Sequence, residues 1–426
     1  MIMRRLKYTF IVLAAVSLFT GCRDKIVCPG GPGCEPTEDS HTFIMYVVGN
    51  NNLYSLLRGN VNMAMAAVEA GLPEDTRVVV YWDGKTSYNG DVVTRLTEIV
   101  NEGGKAVEKV LKEYDDQNSA DPEVMRNVLR DVRYFAPAEV YGITLLGHGT
   151  GWFPPELNNL KQPLGGENCP EHDLRLRENP ETRAYGPDGD EYMSTQDLVT
   201  GLAVMDFDYI IFDVCFMSSV EFLYELRGNA PYIVASPAEV MGSGIPYHRM
   251  LPVLFDRDYT LKQRLVGAID AVVDYYEATT ATKNSAAFTL IDTDGLDDLA
   301  DAVKGIFETD VRDADFGEIQ SLEILQPEHA FFDLQDYMRN ITLDGDAVAQ
   351  EAYTRFERAL AATVAYERHT KEIYSALGSG LFGGDYFPAD RVCGIASYIP
   401  RDYLPVTRKA YYETPWAEYT QPGMGL

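Results

Sequence analysis

A histidine set among glycines and a cysteine at the end of an apolar run are the two residues of this sequence best suited to chemistry. His148 lies in Gly147–Trp152 (GHGTGW), and Cys215 lies in Asp213–Ser219 (DVCFMSS). A cysteine attacks carbonyl groups as its thiolate, and a histidine exchanges protons near neutral pH. Glycines beside the histidine let a substrate backbone approach closely. The pattern indicates covalent catalysis by Cys215, with His148 transferring protons.

Each of the two residues follows a segment that reads as a buried strand. Val140–Leu146 (VYGITLL) precedes His148, and Tyr209–Val214 (YIIFDV) runs into Cys215. Because ligands bind beyond the carboxyl ends of strands in parallel sheets, we expect the two side chains to meet in one cleft. A helix predicted over Met217–Leu226 would place its positive N-terminal end near the sulfur and favour the thiolate.

A structural role is the alternative for each residue taken alone. A cysteine is often a small buried apolar residue, and a histidine among glycines is often a plain loop residue. Their joint placement at two strand ends favours the catalytic interpretation. In that interpretation, the backbone N–H groups of Gly149 and Cys215 bind the developing oxyanion.

The rest of the chain alternates between strand and helix patterns from about residue 41. Apolar runs predict strands, and residues with helical apolar spacing predict helices between them. This rhythm is typical of an α/β fold, with a mainly parallel sheet flanked by helices. After residue 246 the pattern is more helical, with helices predicted over 261–277, 296–308 and 347–377, and a late strand over Cys393–Ile399 (CGIASYI).

Composition excludes some classes of protein. The 426 residues are 46% hydrophobic, which rules out global disorder. The formal net charge is −29, and a chain this acidic is a poor general binder of phosphate backbones, so we expect no nucleic-acid partner. Cationic partners or basic peptides would be attracted by the negative field of the chain. The alternative is that the charge only keeps the protein soluble.

The N-terminus reads as a targeting segment. Three basic residues lie within the first seven positions, and an apolar stretch of signal-peptide length follows over Phe10–Phe19. Leu18–Cys22 (LFTGC) resembles a bacterial lipobox, which implies cleavage before Cys22 and attachment of lipid to that residue. Arg23 in place of Asp favours the outer membrane. An ordinary secretory leader is the alternative, and either one places the protein outside the cytoplasm.

At the two strand ends the chain resembles the clostripain family of cysteine endopeptidases, which share the caspase–gingipain–legumain fold. The matching segments are 148–152 and 213–217, supported by Tyr46–Leu53 (YVVGNNNL) and Tyr232–Ser236 (YIVAS). The resemblance covers about residues 41–250. It implies that Cys215 attacks the scissile carbonyl and that His148 protonates the leaving amine without a tight ion pair. Water then hydrolyses the acyl-enzyme.

The resemblance also implies cleavage after Arg or Lys, with acidic groups in the specificity pocket. Asp213 matches one such position, and its alternative role is to hold the turn after its strand through backbone N–H groups. Segment 237–244 departs from the family pattern, because Glu239 is its only acid. Members of the family are often matured by cleavage between the histidine and the cysteine. Candidate sites in this chain are Lys161, Arg175, Arg177 and Arg183.

No cofactor is required by the sequence, and calcium is left open because some relatives depend on it. Asp188–Glu191 and Asp292–Gly295 offer carboxylates, but neither fits the twelve-residue calcium loop, and both read as solvated turns. The histidines lack the spacing of metal ligands, so we expect no zinc site.

These interpretations divide the chain into four parts: a lipoprotein signal peptide over 1–21, a tether over 22–40, a caspase-like peptidase domain over 41–300, and a C-terminal helical region with a late strand over 301–426. The expected activity is that of an extracytoplasmic cysteine endopeptidase acting on peptide or protein substrates and held at a membrane by its N-terminal lipid. The alternative is a catalytically weak or inactive peptide-binding lipoprotein on the same fold. A transpeptidase or ligase on this scaffold is a third hypothesis.

Overall fold

A nine-stranded sheet organises the chain. The computed structural model describes residues 36, 40–85, 90–153, 185–189, 191–279, 284–324, 329–377 and 384–424. Its strands are β1 (His41–Gly49), β2 (Thr76–Lys85), β3 (Val92–Glu102), β4 (Lys105–Glu113), β5 (Val140–Leu146), β6 (Tyr185–Asp188), β7 (Glu191–Met193), β8 (Tyr209–Asp213), β9 (Tyr232–Ala235), β10 (Ala287–Asp292), β11 (Phe332–Asp333), β12 (Val364–His369), β13 (Glu372–Ser375), β14 (Asp385–Pro388) and β15 (Ala396–Ser397).

The order of strands in the large sheet is β12-β10-β9-β8-β5-β1-β2-β3-β4. Strands β9, β8, β5, β1 and β2 are mutually parallel, and antiparallel strands extend both edges. The prediction of a mainly parallel sheet flanked by helices is therefore confirmed. Adjacent β5 and β8 are the two strands whose ends carry His148 and Cys215.

Helices cover both faces of this sheet. They are α1 (Tyr54–Ala70), α2 (Pro122–Phe135), α3 (Thr195–Leu202), α4 (Val220–Leu226), α5 (Tyr247–Leu254), α6 (Leu261–Ala278), α7 (Leu296–Phe307), α8 (Leu334–Thr342), α9 (Ala347–Thr363), α10 (Pro405–Tyr412) and α11 (Pro415–Thr420). Helices α1, α5 and α6 supply one apolar layer, and the other described helices supply the layer on the opposite face.

Strand β1 shows why its sequence is apolar throughout. Alternate side chains of a strand point to opposite faces. Ile44 and Tyr46 enter the core on the α2 face, whereas Phe43 and Met45 enter the core on the α1 face. Both faces of this central strand are buried, so every position favours an apolar residue.

Local signals set the starts of two helices as predicted. The side chain of Asp121 accepts a hydrogen bond from Glu123 N at 2.7 Å and caps α2. The side chain of Ser194 accepts from Asp197 N at 3.1 Å and caps α3. Such caps stabilise a helix by about 1 kcal/mol.

Three predicted elements differ from the structure. The helix predicted over 347–377 ends at Thr363, because the following Val364–His369 pairs with β10 as the edge strand β12. The late strand predicted over 393–399 is only β15, which pairs with β11 outside the large sheet. The helix predicted over 217–226 begins at Val220, since a turn comes first.

The predicted boundary at residue 300 stays a prediction, but the large sheet takes strand β12 from beyond it. The predicted signal peptide and Cys22 lie outside the described residues. Within the part of the chain that is described, no helix is long and apolar enough to cross a membrane.

Candidate active site

Strand register brings the two candidate catalytic residues to one edge of the sheet. Leu146 of β5 pairs with Asp213 of β8 in a parallel ladder, and His148 and Cys215 each follow two residues later. Neighbouring strands lie about 4.8 Å apart, so the two loops leave the sheet side by side. They also touch, since a Cβ added at Gly151 would lie 2.7 Å from the carbonyl oxygen of Phe216.

The cysteine loop is held in a tight conformation. Phe216 has a φ of 60°, the one positive value among the described non-glycine residues. Its N–H donates to Ala238 O at 2.9 Å, and its ring stacks on that of Phe331 with centroids 4.1 Å apart. Non-glycine residues adopt this conformation at a cost, so packing on Phe331 fixes the backbone directly after Cys215.

The thiol of Cys215 is half-buried and hydrogen-bonded. Its Sγ accepts from Val240 N at 3.3 Å. Burial raises the pKa of this thiol to about 12, and the nearby charge of Glu239 adds to the rise. The expectation that a helix N-terminus lowers this pKa is wrong, because α4 starts five residues later and is only seven residues long. In the free chain the Cys215 side chain is therefore a thiol at neutral pH.

The imidazole of His148 contacts a residue that the sequence analysis did not single out. Its Nε2 lies 2.8 Å from Asn52 Oδ1. Burial lowers the pKa of His148 to about 4, so the ring is neutral at pH 7. With a protonated thiol and a neutral imidazole, the free chain holds the pair uncharged. This agrees with the expectation that the two residues form no tight ion pair.

Asp213 is a buried carboxylate beside the cysteine loop. Its Oδ2 accepts from Ile245 N and from the Tyr247 hydroxyl, each at 3.0 Å. Burial raises the pKa of Asp213 to about 6. A Cβ added at Gly244, whose φ is +64°, would lie 2.7 Å from Asp213 Oδ2. The partners lie in segment 245–247 and not in the turn after β8, and a specificity role for Asp213 stays a prediction.

Glu239 lies next to the thiol but has a backbone partner of its own. Its Oε2 accepts from Ala376 N at 2.9 Å. Burial raises the pKa of Glu239 to about 7. The contact ties the segment after β13 to the cysteine loop through Val240, the next residue. A substrate contact by Glu239 stays a prediction.

The sequence suggested that Asp188 lies in a solvated turn, and this expectation is wrong. Asp188 is buried, and its two carboxylate oxygens accept from Asn50 Nδ2 at 2.7 Å and from Ser119 N at 2.8 Å. Burial and the charge of Asp188 raise the pKa of the buried Asp83 to about 7. The carboxylate anchors the β6–β7 hairpin to the sheet.

The other tetrad proposed for calcium forms a turn as predicted. Thr293–Gly295 is a single 3-10 turn before α7, and Asp292 lies 3.2 Å from Lys262 Nζ. Among the described positions, no three His, Cys, Asp or Glu side chains group as metal ligands would. The predicted processing sites, Lys161, Arg175, Arg177 and Arg183, lie outside the described residues.

Two functional neighbours escaped the sequence analysis. Asn52 follows β1 in a run of three asparagines, which was the available signal, since a polar run after a buried strand marks the sheet edge. Tyr276 of α6 donates to Gly244 O at 2.6 Å and lies 2.8 Å from the Ser243 hydroxyl, so it holds the segment that packs against Asp213. No local signal in helix α6 points to that contact.

Comparison with known proteins gives one family. The profile of the clostripain family, peptidase family C11, matches residues 173–419, which is more than half of the chain. No curated protein matches.

Solved structures give the same result over nearly the whole chain. A secreted C11 cysteine protease from Bacteroides thetaiotaomicron, in complex with an irreversible peptide inhibitor, is 25% identical with a TM-score of 0.73. The match covers 90% of this chain and 99% of that one. An inactive zymogen C11 protease from Parabacteroides distasonis is 26% identical with a TM-score of 0.73, over 91% and 99% of the two chains.

Proposed function

Since the chain belongs to the clostripain family of cysteine peptidases, we propose that it is an extracytoplasmic endopeptidase that uses Cys215 and His148 and cleaves after Arg or Lys. The register of β5 and β8 carries this proposal, because it delivers a sulfur and an imidazole to adjacent loops at one sheet edge. The secreted relative bound to a peptide inhibitor supports a peptide substrate and a location outside the cytoplasm.

The reaction follows from the resting protonation states. The Cys215 thiol passes its proton to the neutral His148 ring as sulfur attacks the carbonyl carbon and forms the S–C bond. The N–H groups of Gly149 and Cys215 stabilise the oxyanion. The C–N bond then breaks, and the imidazolium proton moves to the leaving amine. Water attacks the thioester, the S–C bond breaks, and the thiol is restored as the acid product leaves.

Asp213 supplies the charge for a basic side chain before the cleaved bond. It is the buried acid on the cysteine strand, and a cation beside it would offset the part of the ionisation cost that the Ile245 and Tyr247 donors leave. Asp213 alone pairs with the basic side chain in this proposal, since Glu239 is the only acidic residue in segment 237–244 after β9.

A panel of fluorogenic peptides tests the activity. The peptides carry Arg, Lys, Leu or Asp before the bond and are assayed with and without calcium. Turnover of the Arg and Lys peptides that disappears in Cys215→Ala supports the proposal. Cys393→Ala is the matched control, because Cys393 is the other free cysteine of the described residues and lies beside Asp333. Turnover retained in Cys215→Ala, or equal turnover of all four peptides, contradicts it.

A peptide-binding protein without turnover is the second candidate. The observation that favours it is the thiol pKa of about 12, since a protonated sulfur is a poor nucleophile. Stable binding of the Arg peptide to the wild-type chain, with no product over many hours, would select this alternative.

The proposal also includes lipid attachment at Cys22 and maturation by cleavage between His148 and Cys215. Radiolabelled palmitate incorporated into the wild-type chain but not into Cys22→Ala supports anchoring, and an unlabelled secreted wild-type chain contradicts it.

Sequencing of new N-termini after incubation tests cleavage after Lys161, Arg175, Arg177 or Arg183. A fully active chain that stays uncut excludes maturation.

A further inference from the structure

Asn52 is the side chain in contact with the imidazole of His148. We propose that Asn52 is a positioning residue: its carbonyl oxygen accepts the Nε2–H of His148 and so leaves Nδ1 as the ring atom that exchanges the proton in the cleft. The distance between Nε2 and Oδ1 is 2.8 Å, that of a good hydrogen bond. This inference rests on the proposed function and names a third residue for it.

The residues before Asn52 hold it in place. Asn51 Nδ2 donates to Pro187 O at 3.0 Å, and Asn50 Nδ2 donates to Asp188 Oδ1 at 2.7 Å. Both partners belong to the β6 end of the β6–β7 hairpin. The loop that carries Asn52 is therefore pinned at two consecutive residues, which fixes the backbone from which its side chain projects.

The same hairpin also holds the histidine loop. Gly186 N donates to His148 O at 2.8 Å, and Gly149 forms an isolated bridge with Tyr185. Strand β6 thus contacts both loops and links them to each other. Asn52 itself is exposed, and these contacts restrain the backbone on both sides of its hydrogen bond to His148.

The chemistry of the ring explains why a neutral acceptor suits this place. A neutral imidazole has one N–H, and donation from Nε2 leaves the Nδ1 lone pair as the base. An amide oxygen fixes this tautomer without adding charge, whereas a carboxylate would also raise the pKa of the ring. Burial keeps the pKa of His148 at about 4, so Asn52 keeps a neutral base ready for the thiol proton.

Three variants test the role in the active enzyme. Asn52→Leu conserves volume and removes the acceptor. It should lower kcat about 10- to 100-fold with little change in KM, because this loss is part of the rate enhancement that a proton-transfer group contributes. Asn52→Asp keeps an acceptor, so it should recover much of kcat and move the acid limb of kcat/KM at least about one pH unit upward. Asn127→Leu changes an exposed asparagine of α2 and should match the wild type.

A spectroscopic measurement tests the tautomer without turnover. In Cys215→Ala labelled with 15N-histidine, the ring nitrogens of His148 should show the Nε2–H form, and Asn52→Leu in that background should shift the ring toward a tautomer mixture. The spectrum of the His148→Ala variant identifies the signal among the six histidines.

The outcomes separate this inference from the proposed function. An active wild type whose kcat is unchanged in Asn52→Leu overturns the role of Asn52 and leaves the peptidase intact. A Nδ1–H tautomer in Cys215→Ala also overturns it. A wild type with no turnover, but with the Nε2–H tautomer lost in Asn52→Leu, overturns the peptidase and leaves the contact standing.

Discussion

Replacing Asp213 by Asn should stabilise the protein while it removes the basic preference. Both recorded hydrogen bonds to this side chain reach one oxygen, Oδ2, so an amide oxygen in that position retains the Ile245 and Tyr247 donors. The change removes the charge and replaces Oδ1 by an amide NH2 group. Raising a carboxyl pKa from 3.8 to about 6 corresponds to about 3 kcal/mol of cost for the ionised form.

The raised pKa of Asp213 determines how its effect on the free energy of unfolding changes with pH. A carboxyl group whose pKa is raised by folding contributes stability that is complete below pH 3.8 and is lost as the pH rises through about 6. Relative to Asn, the wild-type residue is therefore most costly at alkaline pH. We expect Asp213→Asn to raise the free energy of unfolding by about 3 kcal/mol at pH 8 and by about half of that at pH 5.

Urea denaturation followed by tryptophan fluorescence measures this in the Cys215→Ala background, where self-digestion is absent. Asp402→Asn is the matched control, because Asp402 is 97% exposed and its charge should change stability by less than about 0.5 kcal/mol. An equal gain at both pH values would show that packing, not charge, is responsible. A loss of stability at pH 8 would refute the reasoning.

In the active enzyme, the same substitution should lower kcat/KM for Arg and Lys peptides at least about 10-fold, since a desolvated charge pair is lost. Activity towards the Leu peptide should change little. An Asp213→Asn enzyme that keeps its preference for Arg and Lys would place the specificity charge elsewhere.

Three further perturbations probe the same cleft. Gly244→Ala forces a methyl group within 2.7 Å of two buried polar side chains at a positive φ, so it should lower the thermal midpoint and the activity, whereas Gly59→Ala, with open space in α1, should raise the midpoint slightly. Equal midpoints would contradict the packing. Tyr276→Phe removes the donor to Gly244 O, beside Asp213, and should lower the free energy of unfolding in urea by about 1 kcal/mol and raise KM for Arg peptides; no change in either would refute a supporting role for Tyr276. Glu239→Gln removes a charge that raises the Cys215 pKa, so alkylation of Cys215 by iodoacetamide at pH 8–10, followed by peptide mass spectrometry, should become about 3- to 10-fold faster; an unchanged rate would show that Glu239 does not raise the pKa.

The sequence was sufficient where a local pattern and a general rule of sheets act together. Apolar runs gave β5 and β8, and the rule that chemistry gathers at carboxyl ends placed His148 and Cys215 at one edge. Caps such as Asp121 and Ser194 were readable because the bonding partners lie within three residues.

The sequence was insufficient where the decisive contact is distant along the chain. The pKa of Cys215 depends on burial and on Glu239 rather than on the helix that follows it. Helix α9 ends at Thr363 because the next six residues pair with β10 as an edge strand of the sheet. The helical periodicity within α9 does not indicate that this edge is available for pairing. Asn52 and Asp188 gain their roles only when the β6–β7 hairpin is placed against β1.

The β6–β7 hairpin also bears on what would happen to a nicked chain. Trp152 and Phe153, before residues 154–184, are buried with stacked rings, and Tyr185, after them, is buried as well. The large sheet is divided between the two pieces at one seam, where β5 of the first piece lies beside β8 of the second. A single peptide-bond break in that interval would leave two polypeptides held together by the β5–β8 pairing and a shared core, so electrophoresis in detergent would give two bands while native mass spectrometry would still give one particle.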